Sequence, residues 1–146
     1  MAERTSSTIR IDASPKCVMA VISDLRAYPE WTGSVKTVEV LSVYDDSEER
    51  PAEARFVLDS GAVKDTYTLD YTWDGDKEVC WTLVDAEILT ALDGAYRLTA
   101  GADGQTDVEY ELTLELKIPM IGLLRRKAEK VITDTALKEL KKRVEG

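Results

Sequence analysis

The sequence predicts an α+β fold in which an antiparallel sheet of about seven strands is covered by one long C-terminal helix. Three observations predict it. Apolar residues alternate with period two in segment after segment, separated by turn residues. Six such segments follow one another with short connections, which is the signature of a meander. Helical spacing appears only near Ser14 and again after Pro119, where a long amphipathic stretch begins.

Each element has a local reason. Ser7–Asp12 alternates into Ile9 and Ile11, a short strand with one apolar face. Ser14-Pro15 supplies an N-cap and a proline at the first helical position, where a missing N–H costs nothing. Val18, Val21, Ile22 and Leu25 then recur at helical spacing, so 15–26 reads as a helix. Pro29 disfavours helical geometry at Tyr28, so the helix ends there or a second short one begins.

Val35–Tyr44 is rich in β-branched residues and reads as a strand. Strands follow at Glu53–Asp59, Lys64–Trp73, Glu78–Asp85, Ala91–Ala100 and Thr106–Ile118, with Asp74-Gly75-Asp76 as a hairpin turn. The last strand is the plainest. Val108, Tyr110, Leu112, Leu114, Leu116 and Ile118 share one face, and Glu109, Glu111, Glu115 and Lys117 lie on the other. Pro119 ends it, and Met120–Val144 reads as a helix with an apolar stripe of Ile121, Leu124, Ala128, Val131, Ile132, Thr135, Leu137 and Leu140. At ~1.5 Å per residue this helix spans roughly 35 Å, enough to cover the sheet.

Composition narrows the function. The 146 residues suit one domain spanning 1–146, with 44% apolar and 32% charged side chains. No segment approaches the ~18 apolar residues of a membrane span, and the N-terminus lacks the apolar core of a signal peptide, so a cytoplasmic location is expected. Cys17 and Cys80 lack metal-ligand spacing and are expected as buried free thiols. The chain has no histidine, which removes the commonest general base and metal ligand. Neither a metal, a cofactor nor a catalytic residue is expected. Lys117–Gly146 holds nine Lys/Arg against four Asp/Glu, while the preceding residues hold ten basic and twenty-four acidic ones. So acidic a body argues against DNA, and the basic helix is the one surface suited to anionic lipid or RNA.

Ile11-Asp12-Ala13-Ser14-Pro15, then Val18, Val21 and Asp24, are followed by Tyr28-Pro29-Glu30-Trp31, Trp81 and Leu92-Asp93-Gly94-Ala95-Tyr96. In this order they resemble the START-like (SRPBCC) superfamily, whose architecture is the helix-grip fold. Within it the chain is similar to the polyketide cyclase/dehydrase and lipid-transport family that also contains coenzyme Q-binding proteins. The resemblance implies a curved sheet wrapped around the long helix, with a cavity between them for a lipid, polyketide or other hydrophobic compound. It also implies that polar pocket residues position a poly-β-ketone in the family's aromatase/cyclase members. Some relatives are described as inhibitors of ribosome subunit association.

The candidate ligand-binding residues follow from strand alternation. Tyr67, Leu69 and Tyr71 share a face with Trp73, and Asp65 stands at its mouth. Phe56 and Leu58, Trp81 and Leu83, Leu92 and Tyr96, and Leu112 and Leu114 are the inward positions of the neighbouring strands. Trp31 shapes the rim, and Leu124, Ala128 and Ile132 face the sheet from the helix. Aromatic side chains with polar tips suit such a wall, because each buries a large apolar area and orients one polar atom. Asp65, Asp85, Glu87 and Asp93 are the carboxylates placed for acid–base work, although strand ends usually leave such groups exposed. Pro119–Leu124 is apolar on both sides and suits a gate or a transient membrane contact, with Arg125, Arg126, Lys127 and Lys130 beside it for anionic lipid.

The expected function is a noncatalytic carrier or sensor of a hydrophobic small molecule: a lipid, isoprenoid or polyketide. A polyketide cyclase/aromatase-like enzyme is the alternative. A ribosome- or protein-interacting module, using the basic helix, is the second alternative.

Overall fold

The computed structural model describes residues 4–45, 49–59, 64–117 and 122–146, the last segment with its side chains from Arg125 onward. Strand β1 (Thr5–Ile11) leads into α1 (Pro15–Ser23), a single 3₁₀ turn at Leu25–Ala27, and α2 (Tyr28–Trp31). Six strands follow: β2 (Val35–Val43), β3 (Pro51–Asp59), β4 (Lys64–Asp74), β5 (Glu78–Ala86), β6 (Leu89–Ala100) and β7 (Thr106–Leu116). Helix α3 (Gly122–Glu145) closes the chain. The seven strands form one antiparallel sheet in the order β1-β7-β6-β5-β4-β3-β2. The expected helix-grip arrangement is present.

Capping works as the sequence predicts. The Ser14 hydroxyl accepts from the Cys17 amide, and Pro15 opens α1. Pro29 does not end the helical path but sits in the first turn of α2, with Tyr28 helical at φ −52°. The Tyr28 hydroxyl donates to the Ile22 carbonyl at 2.6 Å and anchors the turn to the end of α1. Gly75, at φ +54°, permits the β4–β5 turn.

The core lies between the inner face of the sheet and the helices. Its fully enclosed members include Phe56, Ile11, Val18, Met19, Ile22, Leu25, Val79, Val108, Leu112, Leu137 and Leu140. Helix α1 packs on α3 and β6, α2 packs on β2 and α3, and α3 lies along β1 and β7. Cys17 corrects the expectation of a buried thiol. It is exposed on α1, whose buried stripe is Val18, Met19 and Ile22, while Cys80 is half-buried, and both are free.

A second correction concerns α3. Its buried stripe is Glu129, Thr133, Leu137 and Leu140, whereas Val131 is 60% and Ile132 38% exposed. The reason lies in β1. Thr5 Oγ1 donates to Glu129 Oε1 at 2.7 Å, Ser7 and Thr133 share a hydrogen bond of 2.9 Å, and Lys130 Nζ donates to Ser7 Oγ at 2.8 Å. Glu129 Oε2 also accepts from the Leu114 amide at 2.6 Å, just beyond the point where β1 stops pairing with β7. Polar side chains of the edge strand thus choose a polar face of the helix, and satisfied pairs let that face be buried. Ala128 flanks the stripe, half-buried against the core.

Two irregularities shape the sheet. Between Thr68 and Leu69 the β4–β5 register shifts, leaving Val84 as an extra, exposed residue on β5. Strands β5 and β6 pair only from Glu78↔Arg97 to Trp81↔Gly94, the end far from their own connection. Past that point they part, and Asp93 Oδ1 bridges the gap by accepting from the Leu83 amide at 2.9 Å.

Candidate functional site

The inner face of the sheet is an aromatic wall built from cross-strand partners. Phe56 on β3 faces Tyr67 on β4, Tyr71 faces Trp81 on β5, and Tyr96 on β6 faces Tyr110 on β7. Directly opposed residues on one face bring their rings together. The centroids are 5.3 Å apart for Phe56–Tyr67, 6.1 Å for Tyr71–Trp81 and 4.6 Å for Tyr96–Tyr110. Trp81 joins the two halves, lying 5.5 Å from Tyr96 and 5.6 Å from Tyr110. At the other end Tyr28 continues the series, 6.3 Å from Phe56 and 4.9 Å from Trp31. Gly94 makes room for the indole of its partner Trp81.

The expected wall residues Phe56, Tyr67, Leu69, Tyr71, Trp81, Tyr96, Leu112 and Leu114 are therefore gathered in one buried cluster. Trp31, Leu58, Leu83, Leu92 and Ala128 pack against it half-buried. Ile132 stands apart as an exposed residue of α3. Of the expected gate, Pro119–Leu124, residues 119–121 and the side chains of 122–124 lie outside the described residues. Sequence reading passed over Tyr28 and Tyr110. Tyr110 carried the signal, since it shares the inner face of β7 with Leu112 and Leu114.

Two surface clefts flank the wall. One of about 240 Å³ is lined by Lys36, Val57, Leu58, Lys64, Thr66 and Glu87, among others. The other, of about 140 Å³, lies between Val21, Asp24, Ala27, Trp31 and Arg143.

The tyrosine hydroxyls are the polar atoms of the wall. Tyr67, Tyr71, Tyr96 and Tyr110 are only 4–9% exposed, and no side chain or backbone group among the described residues takes their hydroxyls. Among the described residues, the fully enclosed side-chain atoms without a partner are Trp31 Nε1 and Arg125 Nε. Burial raises all four phenols above the ordinary tyrosine range, and their mutual influence adds to the shift for Tyr67, Tyr71 and Tyr96. They are neutral donors at physiological pH.

Asp65 is a different matter from the free acid expected at the mouth. It is 4% exposed, and its carboxylate accepts from the backbone amides of Thr66 (2.8 Å), Glu87 (3.0 Å), Ile88 (3.1 Å) and Leu89 (2.9 Å). It fastens the β5–β6 connection to β4 and has no lone pair in search of a substrate proton. Asp93 is engaged with Leu83. Among the described residues no group of three or more Cys, Asp or Glu side chains is placed to hold a metal ion, and no helix is long and apolar enough to cross a membrane.

Residues 11–141 match the family described as polyketide cyclase / dehydrase and lipid transport. The chain belongs to that family. Among solved structures, this polyketide cyclase / dehydrase and lipid transport family member is similar to a START superfamily protein from Mycobacterium smegmatis, with a TM-score of 0.90, 21% identity and 97% of each chain covered. It is also similar to a protein from Thermus thermophilus, with a TM-score of 0.78, 23% identity and 97% of each chain covered. The Zhui aromatase/cyclase from Streptomyces sp. R1128 shares the fold at a TM-score of 0.73 and 14% identity, over 98% of this chain and 93% of that one. At these identities the likeness speaks for the fold. Among curated proteins, none matches the chain by sequence.

Proposed function

We propose that this member of the polyketide cyclase / dehydrase and lipid transport family binds a hydrophobic small molecule, a lipid, isoprenoid or polyketide, as a noncatalytic carrier or sensor. The site is the inner face of the sheet beneath α3. The observation that carries the reading is the continuous aromatic wall from Trp31 to Tyr110, along which the Trp31 indole N–H and four neutral tyrosine hydroxyls have no partner among the described residues. Burying ~300 Å² of apolar ligand surface gains about 7 kcal/mol before ordering costs, which fits micromolar affinity. Native mass spectrometry of protein purified from its own host, with organic extraction of what is released, tests it. A defined apolar adduct is the expected result. A clean unliganded mass, together with no binding across a panel of apolar ligands, sinks the reading.

A cyclase-like enzyme is the second reading, favoured by the same hydroxyls, which could hold the carbonyl oxygens of a poly-ketone. Neutral phenols of raised pKa are donors rather than bases. With Asp65 committed to four amides, the wall lacks a free base to abstract a proton among the described residues. Conversion of a poly-ketone analogue that is lost in Tyr71→Phe would establish this reading over the first. The interaction module remains the third reading; three of the basic residues of α3 are paired within the chain, Arg143 with Glu30, Arg125 with Glu115 and Lys130 with Asp134.

A further inference from the structure

We propose that α2 is the gate of the cup: its Trp31 end swings about Tyr28, moving the indole into the neighbouring cleft and opening a path to Phe56. The inference rests on the ligand-binding reading and names the route by which a guest enters.

A guest needs such a route because the wall is closed. Phe56, Tyr67, Tyr71, Trp81, Tyr96 and Tyr110 are 2–9% exposed, so no bulky molecule reaches them until a covering element moves. The covering elements differ in how firmly they are held. Helix α3 is tied to β1 and β7 by hydrogen bonds of Glu129 and Thr133, and it sinks Leu137 and Leu140 into the core. Helix α1 encloses Val18, Met19 and Ile22. Helix α2 buries none of its four residues and has no side-chain cap. Its Trp31 end is held by two exposed contacts with α3. Arg143 Nη2 donates to Glu30 Oε1 at 3.1 Å, and the Gly33 amide donates to Glu139 Oε2 at 3.0 Å. Exposed contacts of this kind contribute little. The Tyr28 end is firmer, with its hydroxyl on the Ile22 carbonyl, which makes it the pivot.

Two further observations say where Trp31 goes. Its Nε1 is fully enclosed and has no hydrogen-bond partner among the described residues, so the closed position leaves a donor unsatisfied. Beside it lies the cleft of about 140 Å³ bounded by Val21, Asp24, Ala27 and Arg143. That volume is close to the volume of an apolar cavity that admits a benzene-sized ring. The Asp24 carboxylate in its lining accepts no hydrogen bond among the described residues. An indole turned into the cleft gives its N–H an acceptor there. The same turn uncovers the Phe56 end of the wall, which Tyr28 and Trp31 now continue. The closed state keeps apolar contacts and forgoes a hydrogen bond; the open state makes the opposite exchange. Two states of similar free energy are what a gate requires.

Relaxation dispersion at the indole nitrogens of the ligand-free full chain tests the gate directly, with signals assigned through Trp31→Phe and Trp73→Phe. Trp31 should show exchange on the microsecond-to-millisecond scale. Trp73, whose Nε1 donates to the Pro51 carbonyl at 2.7 Å, should show none. Asp24→Ala, which removes the open-state acceptor, should reduce the exchange at Trp31. A flat Trp31 profile overturns the proposal. Binding kinetics supply the second arm, with the neutral probe N-phenyl-1-naphthylamine followed by stopped-flow fluorescence. Arg143→Ala should speed association about threefold, since one exposed ion pair is lost. Glu30→Cys with Arg143→Cys, in a chain carrying Cys17→Ser and Cys80→Ser and joined by a short bis-maleimide, should slow it about tenfold or more. If the cysteine variant fails to fold, Arg143→Ala and the dispersion decide. A joined chain that takes up the probe as fast as the unjoined one overturns the gate and leaves the binding reading standing. A probe that binds neither wild type nor variants counts against the binding reading, while the dispersion at Trp31 still decides the gate.

Discussion

Trp81 and Gly94 are direct partners across β5 and β6, and a Cβ on Gly94 would lie 2.6 Å from the Trp81 ring and 2.6 Å from the Glu111 carbonyl oxygen. The tryptophan could tilt away. The β7 backbone could not without breaking its ladder with β6. Gly94→Ala should therefore destabilise the fold by about 2 kcal/mol, lowering the thermal midpoint by roughly 5–8 °C. A melt within error of wild type would show that the wall tolerates a methyl group there.

Asp65 offers a sharper loss. Removing its carboxylate in Asp65→Ala strands four amides, two of them from the β5–β6 connection and one from the first residue of β6. The cost should be about 3 kcal/mol or more by urea denaturation, with Asp65→Asn intermediate because one accepting oxygen remains. A neutral Asp65→Ala would contradict the anchoring role.

Glu129 ties α3 to the sheet where β1 stops pairing. Glu129→Ala should cost about 3 kcal/mol and speed hydrogen exchange at the Leu114 amide before other β7 amides. Glu129→Gln should fall between, since its single oxygen cannot serve both Thr5 and Leu114. Unchanged exchange at Leu114 would refute the tie.

The buried phenols predict alkaline weakness. Tyr28, Tyr67, Tyr71, Tyr96 and Tyr110 are all raised above the ordinary 10.0, burial being the main cause. Above pH 10 the unfolded chain loses these protons while the folded chain keeps them. Stability from these groups is thus complete below that pH and falls as pH rises through it, by about 1.4 kcal/mol per unit for each tyrosine. Melting temperatures should drop steeply, with phenolate absorbance appearing together with unfolding. Phenolate absorbance growing in a folded chain would contradict the burial.

The buried and exposed faces of α3 give a simple contrast. Ile132→Lys should change stability by under about 0.5 kcal/mol, whereas Leu137→Ala should cost about 3 kcal/mol. Comparable losses at both positions would restore the stripe through Ile132 to the core.

That contrast also marks where sequence stops being informative. Strand β7 was plain because one of its faces is wet and a period of two survives along it. The aromatic wall was plain for the same reason, repeated on β4 and β6. Helix α3 presents two candidate stripes, and the choice depends on Thr5 and Ser7 over 120 residues away, whose hydroxyls accept or donate only once β1 lies beside the helix. Hydrophobicity ranks Ile132 above Glu129, and the edge strand reverses that ranking. Asp65 was hidden likewise, because its partners Glu87, Ile88 and Leu89 lie 22–24 residues onward and are backbone groups. Exposed Cys17 shows the limit of residue type alone.

The parting of β5 from β6 near their own connection bears on how the chain reaches this structure. A hairpin ordinarily zips outward from its turn, gaining a rung for each small increment of loop closed. Strands β4 and β5, joined across Gly75, can do so, as can β6 and β7 across Ala102–Gly104. Between β5 and β6 the first rung from the turn is Trp81↔Gly94, so closure there encloses a dozen residues before any pairing forms. Two hairpins should therefore form early and meet late, with Trp81 settling over Gly94 as the seam closes. Mutations at that seam will then speed unfolding more than they slow folding.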